Sequence, residues 1–247
     1  MAAAIIYLSQ ARRMSLLMRS LRLLQQNYLD KFPHDVIMFH EGDFLEPQQI
    51  MLKDLCPSLT FREVNIDPPP HIDVSQHRQW SMIGRFGVGY RNMCRFFAMG
   101  LYPLIQDLDY YMRLDDDSFI QSPVTEDPFE TMSKNSLQYG FRCTRPERSS
   151  SINGLVECMR QNGVPGVKWN KKIFYNNFHI AKPTLWLREP IKSVLEAIDK
   201  HGGIYMQRWG DAPIQTLLVR AFIPNGLRHC FTGFKYSHGR HTWPIGG

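Results

Sequence analysis

AAAIIYLSQARRMSLLMRSLRLL, residues 2–24, decides the fold class. Ala3 to Leu8 reads as a short, fully buried strand. A polar turn, Gln10–Arg13, follows it, and then Leu16, Leu17, Leu21 and Leu24 recur with the period of a helix face. Strand, turn and helix in that order open an α/β unit of the nucleotide-binding kind. The alternation continues outward from there. HDVIMFH (34–40) is a second apolar run, with a proline before it and Glu-Gly-Asp after it. Glu46 to Leu55 has helical character, and FREVNI (61–66) reads as a third strand ending in the stiff loop DPPPHID. Strands alternating with helices imply a largely parallel sheet with helices packed against it.

YRNMCRFFAMGLYPLI (90–105) is helical, with Tyr90, Met93, Cys94, Phe97 and Leu101 on one stripe and Arg91 and Arg95 on another. The strand DYYMRL (109–114) runs straight into Asp115, Asp116 and Asp117. Residues 140–172, rich in Arg, Ser, Asn and Gly, read as a surface insertion or lid. Ile191 to His201 is an amphipathic helix stopped by Gly202–Gly203. No repeat or low-complexity segment interrupts these patterns, so a single domain over 1–247 is expected.

The 247 residues are 43% apolar and 21% charged, an ordinary globular balance. The formal charge is +6, but Lys and Arg are scattered without a run of five or six. Nucleic acid is therefore not an expected partner, whereas a phosphate-bearing ligand needs only a few of these cations. The five cysteines show no zinc spacing, and their odd number leaves at least one thiol unpaired. No stretch approaches the roughly 18 apolar residues of a membrane span. The expectation is either a soluble protein or one whose anchor lies upstream. Trp80, Trp169, Trp186, Trp209 and Trp243 lie beside polar residues, a mixture that suits a carbohydrate cleft, although aromatics are more often core.

Three adjacent carboxylates at the end of a buried strand repel one another unless a cation or hydrogen bonds offset them. Strand ends are where open α/β sheets bind ligands. Asp115 and Asp117, two residues apart, can share one divalent ion that bridges diphosphate oxygens. Oxygen ligands suit Mn²⁺ or Mg²⁺. His238, in the polar and Gly-flanked FKYSHGRH, is a candidate third ligand in a loop. In HGGIYMQRWGDAPIQ, Asp211 fits either a helix N-cap or a carboxylate that grips a substrate hydroxyl or acts as a base.

GYRNMCRFF, YYMRLDDDSF, NNFHIA, DKHGGIYMQRWGDAPIQ and FKYSHGRHTWP, in that order, resemble the fungal-type Golgi α-1,2-mannosyltransferases. The likeness runs from about residue 4 to residue 244. It implies a GT-A fold, α/β with a mostly parallel twisted sheet flanked by helices. It also implies GDP-mannose as donor, Mn²⁺ as cofactor, and retention of the anomeric configuration. The acceptor would be an oligosaccharide or glycoprotein, and the compartment the Golgi lumen if an anchor precedes this sequence, otherwise the cytoplasm. By the same resemblance, Asp115, Asp117 and His238 bind the metal, with Asp116 between them. Tyr90 and Arg91 fall on the donor site, and Trp209 and Asp211 line the cleft. Arg91 and Arg95 are expected to face the diphosphate. One departure stands out. The family's proposed carboxylate nucleophile falls on His179, a poor candidate for a glycosyl-enzyme intermediate. Front-face attack is then expected, with His179 shaping or hydrogen-bonding the donor sugar. The change also leaves a different nucleotide sugar open, or a relative that binds glycan or nucleotide without turnover.

Overall fold

The structure, a computed structural model, describes residues 1–77 and 86–246. The aromatic Trp80 lies outside the described residues. The strands are β1 (Ala3–Leu8), β2 (Asp35–His40), β3 (Leu59–Glu63), β4 (Tyr110–Leu114), β5 (Ser118–Ile120) and β6 (Tyr139–Phe141). They continue as β7 (Thr144–Pro146), β8 (Lys172–Phe174), β9 (Phe178–Ala181), β10 (Arg228–Cys230), β11 (Tyr236–His238) and β12 (His241–Trp243). The α-helices are α1 (Met14–Leu24), α2 (Glu46–Leu55), α3 (Val88–Arg95), α4 (Pro128–Lys134) and α5 (Leu155–Gln161). After them come α6 (Pro183–Leu187), α7 (Ile191–His201), α8 (Gly203–Met206) and α9 (Asp211–Phe222).

Seven strands form the central sheet in the order β10-β6-β9-β4-β1-β2-β3. β9 runs antiparallel to both β4 and β6, and the other four pairings are parallel. The fold is therefore α/β with a mostly parallel sheet. Successive residues of a strand point to opposite faces. Ala4, Ile6, Ile37 and Phe39 accordingly join one core with α3, α5, α7 and α9, while Ile5, Tyr7, Val36 and Met38 join the other with α1, α2 and α4. Burial on both faces is why β1 and β2 read as unbroken apolar runs. Leu17, Leu21 and Leu24 of α1 are fully buried. Each contributes roughly 1.5–3 kcal/mol, against roughly 0.2–0.5 kcal/mol for a surface side-chain pair on a helix. Packing fixes α1.

Several expected elements change. β3 begins two residues before Phe61 and ends at Glu63, because it is the edge strand with a largely exposed face. The helical segment from residue 90 breaks after Arg95 into a π turn, Phe96–Gly100, and a 3-10 turn, Tyr102–Ile105. The stretch 140–172 is not all insertion, since β6 belongs to the central sheet and Arg142 is buried. Asp211 is the first residue of α9 rather than its cap, which is Gly210. His238 closes a strand instead of lying in a loop. Among the described residues all five cysteines are free thiols, and no helix is long and apolar enough to cross a membrane.

Candidate metal and nucleotide-sugar site

β4 ends in the sheet and the chain turns sharply at Asp115–Ser118, with the Ser118 amide donating to the Asp115 carbonyl at 2.9 Å. β5 then pairs with β11, in a register that sets Ser118 opposite His238. That pairing, with the Gly239 amide on the Asp117 carbonyl at 3.1 Å, delivers the imidazole to the aspartates. His238 Nε2 lies 2.9 Å from Asp117 Oδ1 and 3.4 Å from Asp115 Oδ2. One donor atom from each of the three residues falls within a 4.8 Å cluster. The Tyr175 hydroxyl meets the other ring nitrogen at 2.9 Å and fixes the ring's orientation.

The three aspartates do not act alike. Asp116 is outside the 4.8 Å cluster and is engaged within the protein, accepting from Ser9 Oγ at 2.7 Å and from Arg13 through two contacts at 2.6 Å, with the same guanidinium 3.7 Å from Asp117. Arg113, the last residue but one of β4, donates to Asp115 Oδ1 at 2.9 Å and to Asp211 Oδ2 at 2.5 Å, and its guanidinium lies 3.5 Å from the Phe97 ring centre. Asn176 adds a second donor to Asp211 at 2.8 Å. Burial pushes the Asp115 carboxyl up, but the charges of Arg113 and His238 outweigh it and hold Asp115 well below the usual carboxylate range. Burial opposes a charged ring at His238, yet Asp115 and Asp117 outweigh it and raise its pKa to about 9. The imidazolium thus supplies the cation that two facing carboxylates require, and a metal ion on Nε2 displaces its proton.

A cavity of about 500 Å³ opens at this sheet edge, lined by Ser9, Arg13, Tyr90, Phe97 and all three aspartates. A smaller one of about 220 Å³ shares Tyr90, Met93 and Asp115 with it and continues past His238, Asn177, Arg208 and Asp211. Tyr90 therefore lines both cavities.

Four other expected residues line neither. Arg91 spends its guanidinium on the carbonyls of Phe86, Ile204 and Tyr205, and Arg95 forms a two-point ion pair with Asp199. Their helix stripe packs on α7 and α8 instead of on the cavity. Trp209 is fully buried, donating to the Asn153 carbonyl, and none of the four described tryptophans lines either cavity. His179 is 1% exposed. Its Nε2 meets the Tyr111 hydroxyl at 2.8 Å and its Nδ1 meets the Asn176 carbonyl at 2.9 Å. Burial and then the Arg113 charge lower its pKa to about 3. A neutral ring with both nitrogens engaged has nothing left for a sugar.

Arg13, Arg113, Asn176 and Arg208 were not singled out from the sequence. Arg113 carried a signal: a charged residue within a fully buried strand needs partners close by.

An oxygen- and nitrogen-donor cluster at the carboxyl edge of a mostly parallel sheet, beside two adjoining cavities, suits a metal-dependent nucleotide-sugar transferase of the GT-A class. The family described as glycolipid 2-alpha-mannosyltransferase matches residues 1–163 and 154–242, and the chain belongs to that family. Its relatives include the O-glycoside alpha-1,2-mannosyltransferase omh1 of Schizosaccharomyces pombe, 25% identical over 96% of this chain and 68% of that protein. Glycolipid 2-alpha-mannosyltransferase 1 of Candida albicans is 26% identical over 90% of this chain and 59% of its own length. The chain thus spans three-fifths to two-thirds of these relatives. The fold matches the Mn/GDP form of core-mannan synthase A (CmsA/Ktr4) from Aspergillus fumigatus with a TM-score of 0.90. That match has 21% identity and covers 98% of this chain and 76% of the other.

Proposed function

We propose that this glycosyltransferase moves mannose from GDP-mannose to a hydroxyl of an oligosaccharide or glycoprotein glycan, forming an α-1,2 bond with retention. The observation that carries the reading is the convergence of Asp115, Asp117 and His238 within 4.8 Å at the mouth of the larger cavity. Two carboxylates and an imidazole fit Mn²⁺ better than Mg²⁺, which favours oxygen alone. When bound, the ion supplies Lewis-acid stabilisation of the departing diphosphate. The Aspergillus core-mannan synthase is a Mn/GDP form, which supports the same choice here.

The chain's own residues divide the remaining tasks. Asp115, Asp117 and His238 hold the ion, and Tyr175 keeps the imidazole turned toward it. Arg113 occupies one oxygen of Asp115 and leaves the other facing His238. Asp211 balances Arg113, which favours a positioning role over proton transfer. Asp116 turns Arg13 toward the nucleotide cavity. His179 has no capacity for covalent catalysis, which supports front-face attack with the diphosphate taking the acceptor proton. We place all of residues 1–247 in one catalytic domain and, on the resemblance, its work in the Golgi lumen.

A panel of GDP- and UDP-sugars with a mannoside acceptor tests the reading. The expected result is transfer from GDP-mannose with Mn²⁺, none in excess EDTA, and an α-linked product by NMR. Turnover in EDTA overturns the metal role, turnover with UDP-sugars alone overturns the donor, and a β-linked product overturns retention.

A further inference from the structure

Arg208 lies between α8 and α9 with φ at +61°, in the left-handed region that side chains other than glycine rarely adopt. Its surroundings hold it there from both sides. Trp209 next to it is pinned by its bond to the Asn153 carbonyl and packs on Gly203, where a Cβ would come within 2.3 Å of the indole. Arg91 grips the carbonyls of Ile204 and Tyr205 on the approach to it. Backbone strain that the surroundings over-determine is characteristic of functional sites.

The side chain this backbone presents is partly buried and lines the smaller cavity together with Asp115 and His238. Its guanidinium lies 3.9 Å from the Phe86 ring centre. Among the described residues it makes no hydrogen bond or ion pair. The other arginine lining this cavity, Arg113, is saturated by Asp115 and Asp211. Charge balance sharpens the contrast. A divalent ion held by two aspartates is already neutralised by its own ligands, so a diphosphate beside it needs another cation. Of the two arginines at the larger cavity, Arg13 is committed to Asp116 and lies 3.7 Å from Asp117, while Arg12 is exposed and bonds to Gln10. The planar guanidinium fork suits phosphate oxygens, and an aromatic face shields one side of it from water while leaving its N–H groups free to donate.

We propose that Arg208 is a catalytic residue that binds the β-phosphate of the leaving nucleoside diphosphate. The inference rests on the nucleotide-diphosphate donor assigned above. As the bond from sugar C1 to the β-phosphate oxygen breaks, its electron pair passes to that oxygen. The acceptor hydroxyl oxygen forms the new bond to C1, and its proton leaves on the diphosphate. Arg208 meets the negative charge where it appears.

Calorimetric titration of the full chain with GDP and with GMP, each with Mn²⁺, tests this in the wild type, Arg208→Lys and Arg208→Gln. Thermal melts confirm that the variants fold. Arg208→Gln is expected to weaken GDP binding about tenfold or more and to leave GMP binding within about twofold, with Arg208→Lys between. Turnover of GDP-mannose by Arg208→Gln falls further, by about a hundredfold. Unchanged GDP binding, or equal weakening of GDP and GMP, overturns the assignment of Arg208 alone. A wild type that binds neither nucleotide with Mn²⁺ overturns the donor reading and this inference together.

Discussion

His238 ends β11 opposite Ser118 and His179 lies on β9 opposite Arg113, and the fold treats the two rings in opposite ways. At His238 two carboxylates raise the pKa to about 9, and the side chain keeps 18% of its surface exposed. At His179 burial lowers the pKa to about 3, and tyrosine and carbonyl partners close both nitrogens. The Asn176 carbonyl can only accept, so the one proton of the neutral His179 ring sits on Nδ1, and the Tyr111 hydroxyl, which accepts from Trp186 at 2.9 Å, gives its hydrogen to Nε2. One imidazole is held among unspent charge at a cavity; the other is a satisfied part of the core. A polar residue belongs to the site when its partners inside the protein leave a deficit, and to the scaffold when they do not.

Arg113 joins the two environments, facing His179 across the β4–β9 ladder and bonding to Asp115. Arg113→Ala leaves Asp211 as a buried charge without its cation and takes one of two cationic partners from Asp115, with an expected loss of about 3–5 kcal/mol in stability. Urea unfolding reads it, and a change below about 1 kcal/mol would erase the link. Next in size, Asp115→Ala or Asp117→Ala removes about 3 kcal/mol of transition-state stabilisation, roughly two orders of magnitude in turnover, while the fold persists. A variant that keeps full Mn²⁺-dependent activity contradicts the metal assignment. His179→Ala, by contrast, costs stability, about 1–3 kcal/mol for the partners left unsatisfied. His179→Gln costs less and retains activity; a dead glutamine variant with a glycosylated His179 peptide would restore the nucleophile.

A third histidine sharpens the contrast at small scale. Asp127 accepts from His34 and Tyr28 and caps α4 through the Phe129 amide. Burial pushes its carboxyl up, but these hydrogen bonds prevail and lower its pKa. A folded pKa below the unfolded one contributes stability that is complete above the unfolded value, about 3.9, and is lost as pH falls through the folded value. Asp127→Asn keeps a capping side chain. It should narrow the drop in melting temperature between pH 6 and pH 3 by an amount worth about 1 kcal/mol or less. An identical drop in both proteins would remove Asp127 from the acid response.

The parts of the fold legible in the sequence are those whose burial has a period. β1, α2 and α7 match their expected bounds because packing on the sheet forces the pattern. β3 slipped because an edge strand with one buried end carries little such signal. Asp115 and Asp117 were readable as carboxylates at a strand end. His238 was only a candidate from its polar, Gly-flanked setting, since a β-ladder closed far along the chain brings it in, and the family resemblance strengthened the reading. Arg91, Arg95, Trp209 and His179 were misplaced for one reason. Residue type reports what a side chain offers, whereas its partners, such as the Ile204 and Tyr205 carbonyls on Arg91, come from segments distant in sequence.

Mn²⁺ titration followed by electron paramagnetic resonance, on the wild type, His238→Ala and His179→Gln, tests the metal centre most directly. With Asp115, Asp117 and His238 as the ligands, the expected result is a bound-ion signal in the wild type, its loss or at least about tenfold weakening in His238→Ala, and wild-type affinity in His179→Gln. Undiminished Mn²⁺ binding by His238→Ala, or its loss in His179→Gln, would contradict it.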